Sequence, residues 1–239
     1  MGDISDRRAR KKAQTRQQIR TVAHRLFAEH GFTGVTIADV AREADVAVQT
    51  VFNHFATKEE LFFDGRTSWV EGPAASVRTR EPSVAPLVAL RGYLVETVRD
   101  LVASHTRTAR RGYLETLEAS ESLRVHEREL VHAAELRLRD ALCEAWAEQT
   151  DIPGTPADPQ TAAALVAAVW LAAARTMVLE QRPVLTDGAC PDKTALDVMQ
   201  LADRVLSQLE VGVALVHGRA ARTPAADTGW PEHTIRQAG

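Results

Sequence analysis

At 239 residues the chain is long enough for one well-packed helical body plus a small second domain, with nothing to suggest a third. Aromatic residues make up only 5% of it and no run alternates with period two over a useful length, which argues against a β-rich fold and favours an all-α one. The net charge of −3 excludes a uniform basic coat, and its distribution is uneven: residues 1–66 carry eleven Lys and Arg against nine Asp and Glu, the remainder eighteen against twenty-three.

Residues 1–12 are polar and read as a basic, disordered arm. Arg7, Arg8, Arg10, Lys11, Lys12, Arg16 and Arg20 share a segment without an acid, so the run is either a solvated or disordered arm or one that reaches nucleic-acid phosphates or a minor groove. A first helix follows, with Ile19, Val22, Ala23, Leu26 and Phe27 on one face and Gly31 as its stop. Thr36 then precedes a short helix in which Ile37, Val40, Ala41 and Ala44 recur at helical spacing, with Asp39 placed to complete a capping box. Asp45 falls at a tight turn, where it tolerates a left-handed backbone better than most non-glycine residues. A second short helix, about Val48 to His54, directs Val51, Phe52 and Phe55 toward the body and leaves Val48, Gln49, Thr50 and Asn53 on other faces. Helix, short turn and second helix with small and polar outward residues form a helix-turn-helix, whose second helix enters the major groove of DNA. Gln and Asn suit adenine, and Val or Thr methyls suit thymine. Thr57-Lys58-Glu59-Glu60 opens a further helix, expected to run through Phe62, Phe63 and Trp69 until Gly72-Pro73 ends or kinks it.

The breaker-rich loop 80–86 leads into a helix carrying Leu87, Leu90, Tyr93, Leu94, Val98 and Leu101. A short helix around Gly112–Ala119 and a long one from Glu121 to about Gln149 follow. After the loop 151–156, Pro159 opens a helix to about Glu180, Asp192 opens the last, ending near Gly218, and 219–239 read as a loose tail. From Thr161 to Leu179 the helix opened by Pro159 is apolar nearly all round and needs cover on two sides. Its small residues Ala164, Ala168 and Ala172, with Leu165, suit a close helix–helix seam, and Val198, Leu201, Val205 and Leu209 offer a second, so a homodimer is expected. The uncharged run Ala162–Ala174 falls short of the roughly twenty residues of a bilayer span, and no membrane partner is expected. Cys143 and Cys190 are far apart, with no CxxC and no signal-peptide pattern, pointing to a soluble protein of the reducing cytoplasm.

Arg16, Ile19, Ala23, Leu26, Phe27, His30-Gly31-Phe32, Thr36-Ile37-Ala38-Asp39-Val40-Ala41, Thr50-Val51-Phe52-Asn53-His54-Phe55 and Lys58-Glu59-Glu60-Leu61 stand in a fixed register that resembles the TetR/AcrR family of transcriptional regulators. The resemblance covers about a fifth of the chain. It departs at Asp45, where the family usually has Gly, and at Ala47, where it usually has a Ser cap. The resemblance implies a helix-turn-helix DNA-binding domain over 13–61 and a helical ligand-binding and dimerisation domain over 62–218. It implies phosphate contacts by Thr36, His54 and Lys58, base contacts by Val48, Gln49, Thr50 and Asn53, and Phe52 against the sugar-phosphate backbone. It also implies a repressor that binds a palindromic operator as a homodimer and is released by a small hydrophobic or aromatic effector. Together with the sequence it marks Trp69, Tyr93, Tyr113, Trp146, Trp170 and Arg175 as candidate ligand contacts. No catalytic set is found: His126 and His132, six apart, share no helical face, and no phosphate loop, GxSxG or HExxH is present, so neither an enzyme nor a cofactor or metal is expected. The competing reading without an effector is a helical scaffold with a vestigial DNA-binding head.

Overall fold

The computed structural model describes residues 2–104, 108–148, 156, 158–186 and 190–217, and these contain ten helices and no strand. Helix α1 (Gly2–His30) buries Ile19, Ala23, Leu26 and Phe27, and stops where Gly31 takes φ +73. It begins far earlier than the sequence suggested. The segment expected as a disordered arm is helical from Gly2 onward, because Arg, Lys, Ala and Gln fill all but one of residues 7–18 and are strong helix formers. An exposed Arg10–Asp6 pair at 3.5 Å spans one turn of this extension.

Three short helices, α2 (Ile37–Glu43), α3 (Val48–Phe52) and α4 (Lys58–Phe63), pack against α1. Their core is Phe27, Phe32, Val40, Val51, Phe55, Leu61 and Phe62, all 5% exposed or less. The helix expected to continue to Gly72-Pro73 is in fact two. α4 ends at Phe63, Gly65 adopts φ +72, and α5 (Ser68–Arg78) restarts the chain with Pro73 buried inside it. Gly72 is therefore no helix stop. A methyl group there would overlap the Tyr93 hydroxyl, so Gly72 is what makes room for the Tyr93 side chain of the next helix.

That helix, α6 (Pro86–Ser104), joins α5, α8 (Glu121–Ala147), α9 (Pro159–Thr186) and α10 (Pro191–His217) around one core that includes Leu90, Leu94, Val98, Leu138, Leu142, Trp146, Val166, Trp170 and Leu206. α7 (Thr108–Ala119) starts before the expected Gly112, and α9 runs beyond the expected Glu180. Ser120 caps α8 by accepting from the Leu123 backbone N–H. Arg91 on α6 binds Asp203 at 2.9 Å and Ser207 at 2.6 Å and lies 3.3 Å from Glu210, clamping α10 to the body. The loop 151–155 and the tail 219–239 lie outside the described residues.

Head and body meet through aromatic rings. Phe62 on α4 stacks on Tyr113 of α7 with centroids 5.0 Å apart, Phe63 contacts His126 of α8 at 5.3 Å, and the Arg66 guanidinium lies 4.6 Å from the Tyr113 ring. Tyr113, Leu114, Leu117 and Leu123 thereby belong to the core of the head.

Candidate nucleic-acid interface and internal cavity

The turn between α2 and α3 is built by local chemistry. Thr36 caps α2: its hydroxyl oxygen accepts from the Asp39 N–H at 3.1 Å, while the Asp39 carboxylate accepts from the Thr36 backbone N–H at 3.0 Å. The Thr36 hydroxyl also donates to that carboxylate at 2.6 Å, and this bond, with the Thr36 backbone N–H and Arg42, holds the Asp39 pKa down to about 2. α2 closes with the Ala44 and Asp45 N–H groups bonded back to Val40 and Arg42, and Asp45 turns the chain at φ +52, the left-handed conformation its position required. α3 then starts at Ala47 with no side-chain cap bond, so Asp45 does not replace the missing Ser.

On α3, Val51 is wholly buried and Phe55, just beyond it, nearly so, which fixes the opposite face outward. Val48, Gln49 and Asn53 are exposed, and Thr50 is half-buried. Phe52 is 45% exposed, which corrects the helical-spacing expectation that it faces the body and leaves its ring available at the surface. Gln49 donates to Asn53 at 3.2 Å, so the two amides are held together at the surface. Thr36 is exposed at the start of α2.

Lys58 and His54 are less open. The Lys58 ammonium sits 4.2 Å from the centre of the Phe32 ring, half-buried, and desolvation lowers its pKa. That contact is worth about 0.5–1 kcal/mol, which a phosphate must outbid or share. The His54 Nδ1 is buried with no hydrogen-bond partner among the described residues, and burial, then Lys12 and Arg16, disfavours its protonation. Arg16 is a structural tie: it donates to the His54 carbonyl oxygen and to Asp64, and lies 4.2 Å from the Phe55 ring.

His24 fastens α1 to α4, its Nε2 3.3 Å from the Leu61 carbonyl oxygen. Burial, reinforced by Arg66, lowers its pKa from 6.5 to about 4. The unfolded chain therefore binds this proton at a higher pH than the folded one, so the stability held by neutral His24 is complete above about 6.5 and is lost as pH falls toward 4. His24→Gln is expected to flatten that part of the pH dependence, measured as urea midpoints between pH 7.5 and 4.5; an unchanged slope would refute the assignment.

A second site lies in the body. Trp69 and Pro73 of α5, Tyr93, Leu94, Thr97, Val98 and Leu101 of α6, Glu127 and Val131 of α8, and Leu171, Ala174, Arg175, Val178 and Leu179 of α9 line a cavity of about 120 Å³. Three of the six expected ligand residues, Trp69, Tyr93 and Arg175, meet there. The other three do not. Tyr113 is in the core of the head, and Trp146 and Trp170 share their buried helix faces with Leu138 and Val166 in the core of the body and do not line the cavity. The Trp170 Nε1 has no hydrogen-bond partner among the described residues. Sequence reasoning missed Glu127 as a lining residue; it pairs at 3.3 Å with Arg175 of α9, a partner that no spacing within α8 signals. Among the described residues no group of three or more His, Cys, Asp or Glu side chains could hold a metal ion.

The seam expected between protomers is partly corrected. Leu165 is 50% and Val169 44% exposed on α9, with Ala168 and Ala172 on the same outward face. Val198 is only 4% exposed, and Val205 and Leu209 pack on the body's own core, because the stripe Ala195, Val198, Ala202 and Leu206 turns inward. Leu201 remains outward, joined by Leu196 at 48% and by Val211. By length and composition Pro159–Glu180 would suffice to cross a membrane, but its face through Ala162, Val166 and Trp170 is core.

Residues 19–64 match the family described as bacterial regulatory proteins, tetR family. The chain is 35% identical over 92 residues to the HTH-type transcriptional repressor AcnR of Corynebacterium diphtheriae, covering 38% of this chain and 42% of that protein. It is 33% identical over 85 residues to the HTH-type transcriptional regulator TcmR of Streptomyces glaucescens, covering 36% and 38% respectively. The matches thus span less than half the length of these curated relatives. The fold resembles that of native NalD, the secondary repressor of the MexAB-OprM multidrug efflux pump in Pseudomonas aeruginosa, with a TM-score of 0.51 at 23% identity over 81% of this chain and 96% of NalD.

Proposed function

Because this chain belongs, through residues 19–64, to the TetR family of bacterial regulatory proteins, we propose that it is a DNA-binding transcriptional repressor that holds a palindromic operator as a homodimer and releases it when a small hydrophobic or aromatic effector binds. The observation that carries this reading is the outward face of α3, where Val48, Gln49, Phe52 and Asn53 stand exposed immediately behind the tight turn at Asp45. Thr50 flanks the same surface, Thr36 and Lys58 stand at the starts of α2 and α4, and helix N-termini favour phosphate. The experiment is electrophoretic retardation of duplex DNA by the full chain; retention of no duplex at all at micromolar protein would refute the reading.

The dimer proposal rests on the exposed apolar faces of α9 and α10, which leave Leu165, Val169, Leu196 and Leu201 in water in a single chain. Two-fold symmetry places the two recognition helices in successive major grooves about 34 Å apart. Light scattering at micromolar concentration is expected to give twice the chain mass, and Leu165→Asp with Leu201→Asp to give a monomer that stays folded. A monomeric wild-type chain would sink the proposal.

The effector proposal is supported by the cavity. Its volume is below the roughly 300–1,000 Å³ of drug-sized sites, so it suits a small effector or one part of a larger one. The cavity walls include α8, whose Glu127 lies beside the His126 that touches Phe63 of α4. An effector acts only through its different affinities for the DNA-competent and incompetent arrangements, and a coupling of about 1–3 kcal/mol would weaken DNA binding roughly 5- to 150-fold.

A further inference from the structure

Helix α1 overhangs the head. Its buried stripe of Ile19, Ala23 and Leu26 recurs at steps of four and three residues, and the same steps lead back to Thr15, Lys12 and Arg8. Where the stripe covers α2 to α4 it is apolar; further toward the N-terminus it turns basic. An apolar face marks protein beneath it, and a basic one is left to solvent or to a polyanion.

The position of the overhang says which polyanion. Arg16, one residue from the stripe, donates to the carbonyl of His54 directly after the Asn53 that closes α3. Lys12, one turn earlier, is near enough to His54 to disfavour its protonation. The basic turns thus leave the head beside the C-terminal end of α3, and Arg8 lies roughly 12 Å further along the axis than Arg16 at about 1.5 Å per residue. Arg8 and Lys12 are exposed, and no carboxylate pairs with either among the described residues. The Arg10–Asp6 pair sits on the opposite side of the helix.

We propose that Arg8 and Lys12, on the helical extension of α1, grip the phosphate backbone of duplex DNA next to the bases that α3 reads. The inference rests on the proposed DNA-binding reading. It adds affinity without sequence preference, since phosphate contacts position a protein and base contacts specify it.

The test measures duplex affinity of the full chain against salt, with Arg8→Gln/Lys12→Gln as the variant, because Gln keeps helix propensity while removing charge. Each lost phosphate contact lowers the slope of log K on log salt by about 0.9, so the double variant is expected to be shallower by about 1.8 per bound protomer, with base preference unchanged. Arg8→Lys/Lys12→Arg should keep the wild-type slope, and Arg10→Gln on the opposite face should leave it alone. A double variant with the wild-type slope, or an equal loss in Arg10→Gln, overturns the proposal while leaving the recognition helix in place. A wild-type chain that binds no duplex overturns both.

Discussion

Phe62→Ala is expected to cost about 3–5 kcal/mol of folding stability, the range for emptying a large aromatic site in a close-packed core. Phe62 is 1% exposed and touches the rings of Phe27, Phe32, Phe63 and Tyr113, with centroids 5.0 to 5.9 Å away, while Arg66 stacks on it from outside. Few neighbours can close the void, since Phe27, Phe32 and Phe63 are themselves buried. Phe62 also joins α4 to α7, so the variant should loosen the head from the body as well as weaken each. Urea unfolding followed by far-ultraviolet circular dichroism checks this: a loss below about 1 kcal/mol would mean that the ring cluster does not tie the two parts together.

On α3 the expected effect is one of specificity. Gln49→Ala and Asn53→Ala should each change base preference at one or two positions, by about 1–3 kcal/mol per lost bidentate contact. In the free protein the Gln49 amide donates to the Asn53 side-chain oxygen at 3.2 Å, so reaching bases means exchanging that bond for contacts to DNA, and removing either residue also frees its partner to adopt another pairing. Lys58→Ala should instead weaken all sequences alike and flatten the salt dependence. Competition between single-base variants of a bound duplex separates these outcomes. A shifted preference in Lys58→Ala would reverse the assignment of roles.

The head was the most legible part of the chain because its geometry is set locally. Thr36 and Asp39 cap each other within one turn, Asp45 takes the left-handed conformation a tight turn demands, and Val51 and Phe55 fix which face of α3 is buried. Errors arose where local signals were overruled by distant contacts. Gly72-Pro73 reads as a helix end, yet the approach of Tyr93 from α6 is what requires the glycine, and the actual break at Gly65 follows an Asp64 held by Arg16 and Arg20 across the head. Val198 shares helical spacing with Leu201, and only the packing of α10 on α6 and α9 decides that the first turns inward and the second outward. Trp146 and Trp170 carry polar tips that suggest ligand contacts, whereas burial against the body's own helices decides their place. The Glu127–Arg175 pair spans 48 residues, and no local pattern announces it.

Selection of bound sequences from random duplexes, with the wild-type chain and with Gln49→Ala/Asn53→Ala in parallel, tests most directly whether α3 reads DNA. The wild-type chain should enrich a near-palindrome whose half-sites lie about one helical turn or more apart, and the double variant should keep the spacing but lose preference within each half-site. Enrichment of the same sequence by both proteins, or of none by either, would contradict the assignment of this face to base recognition.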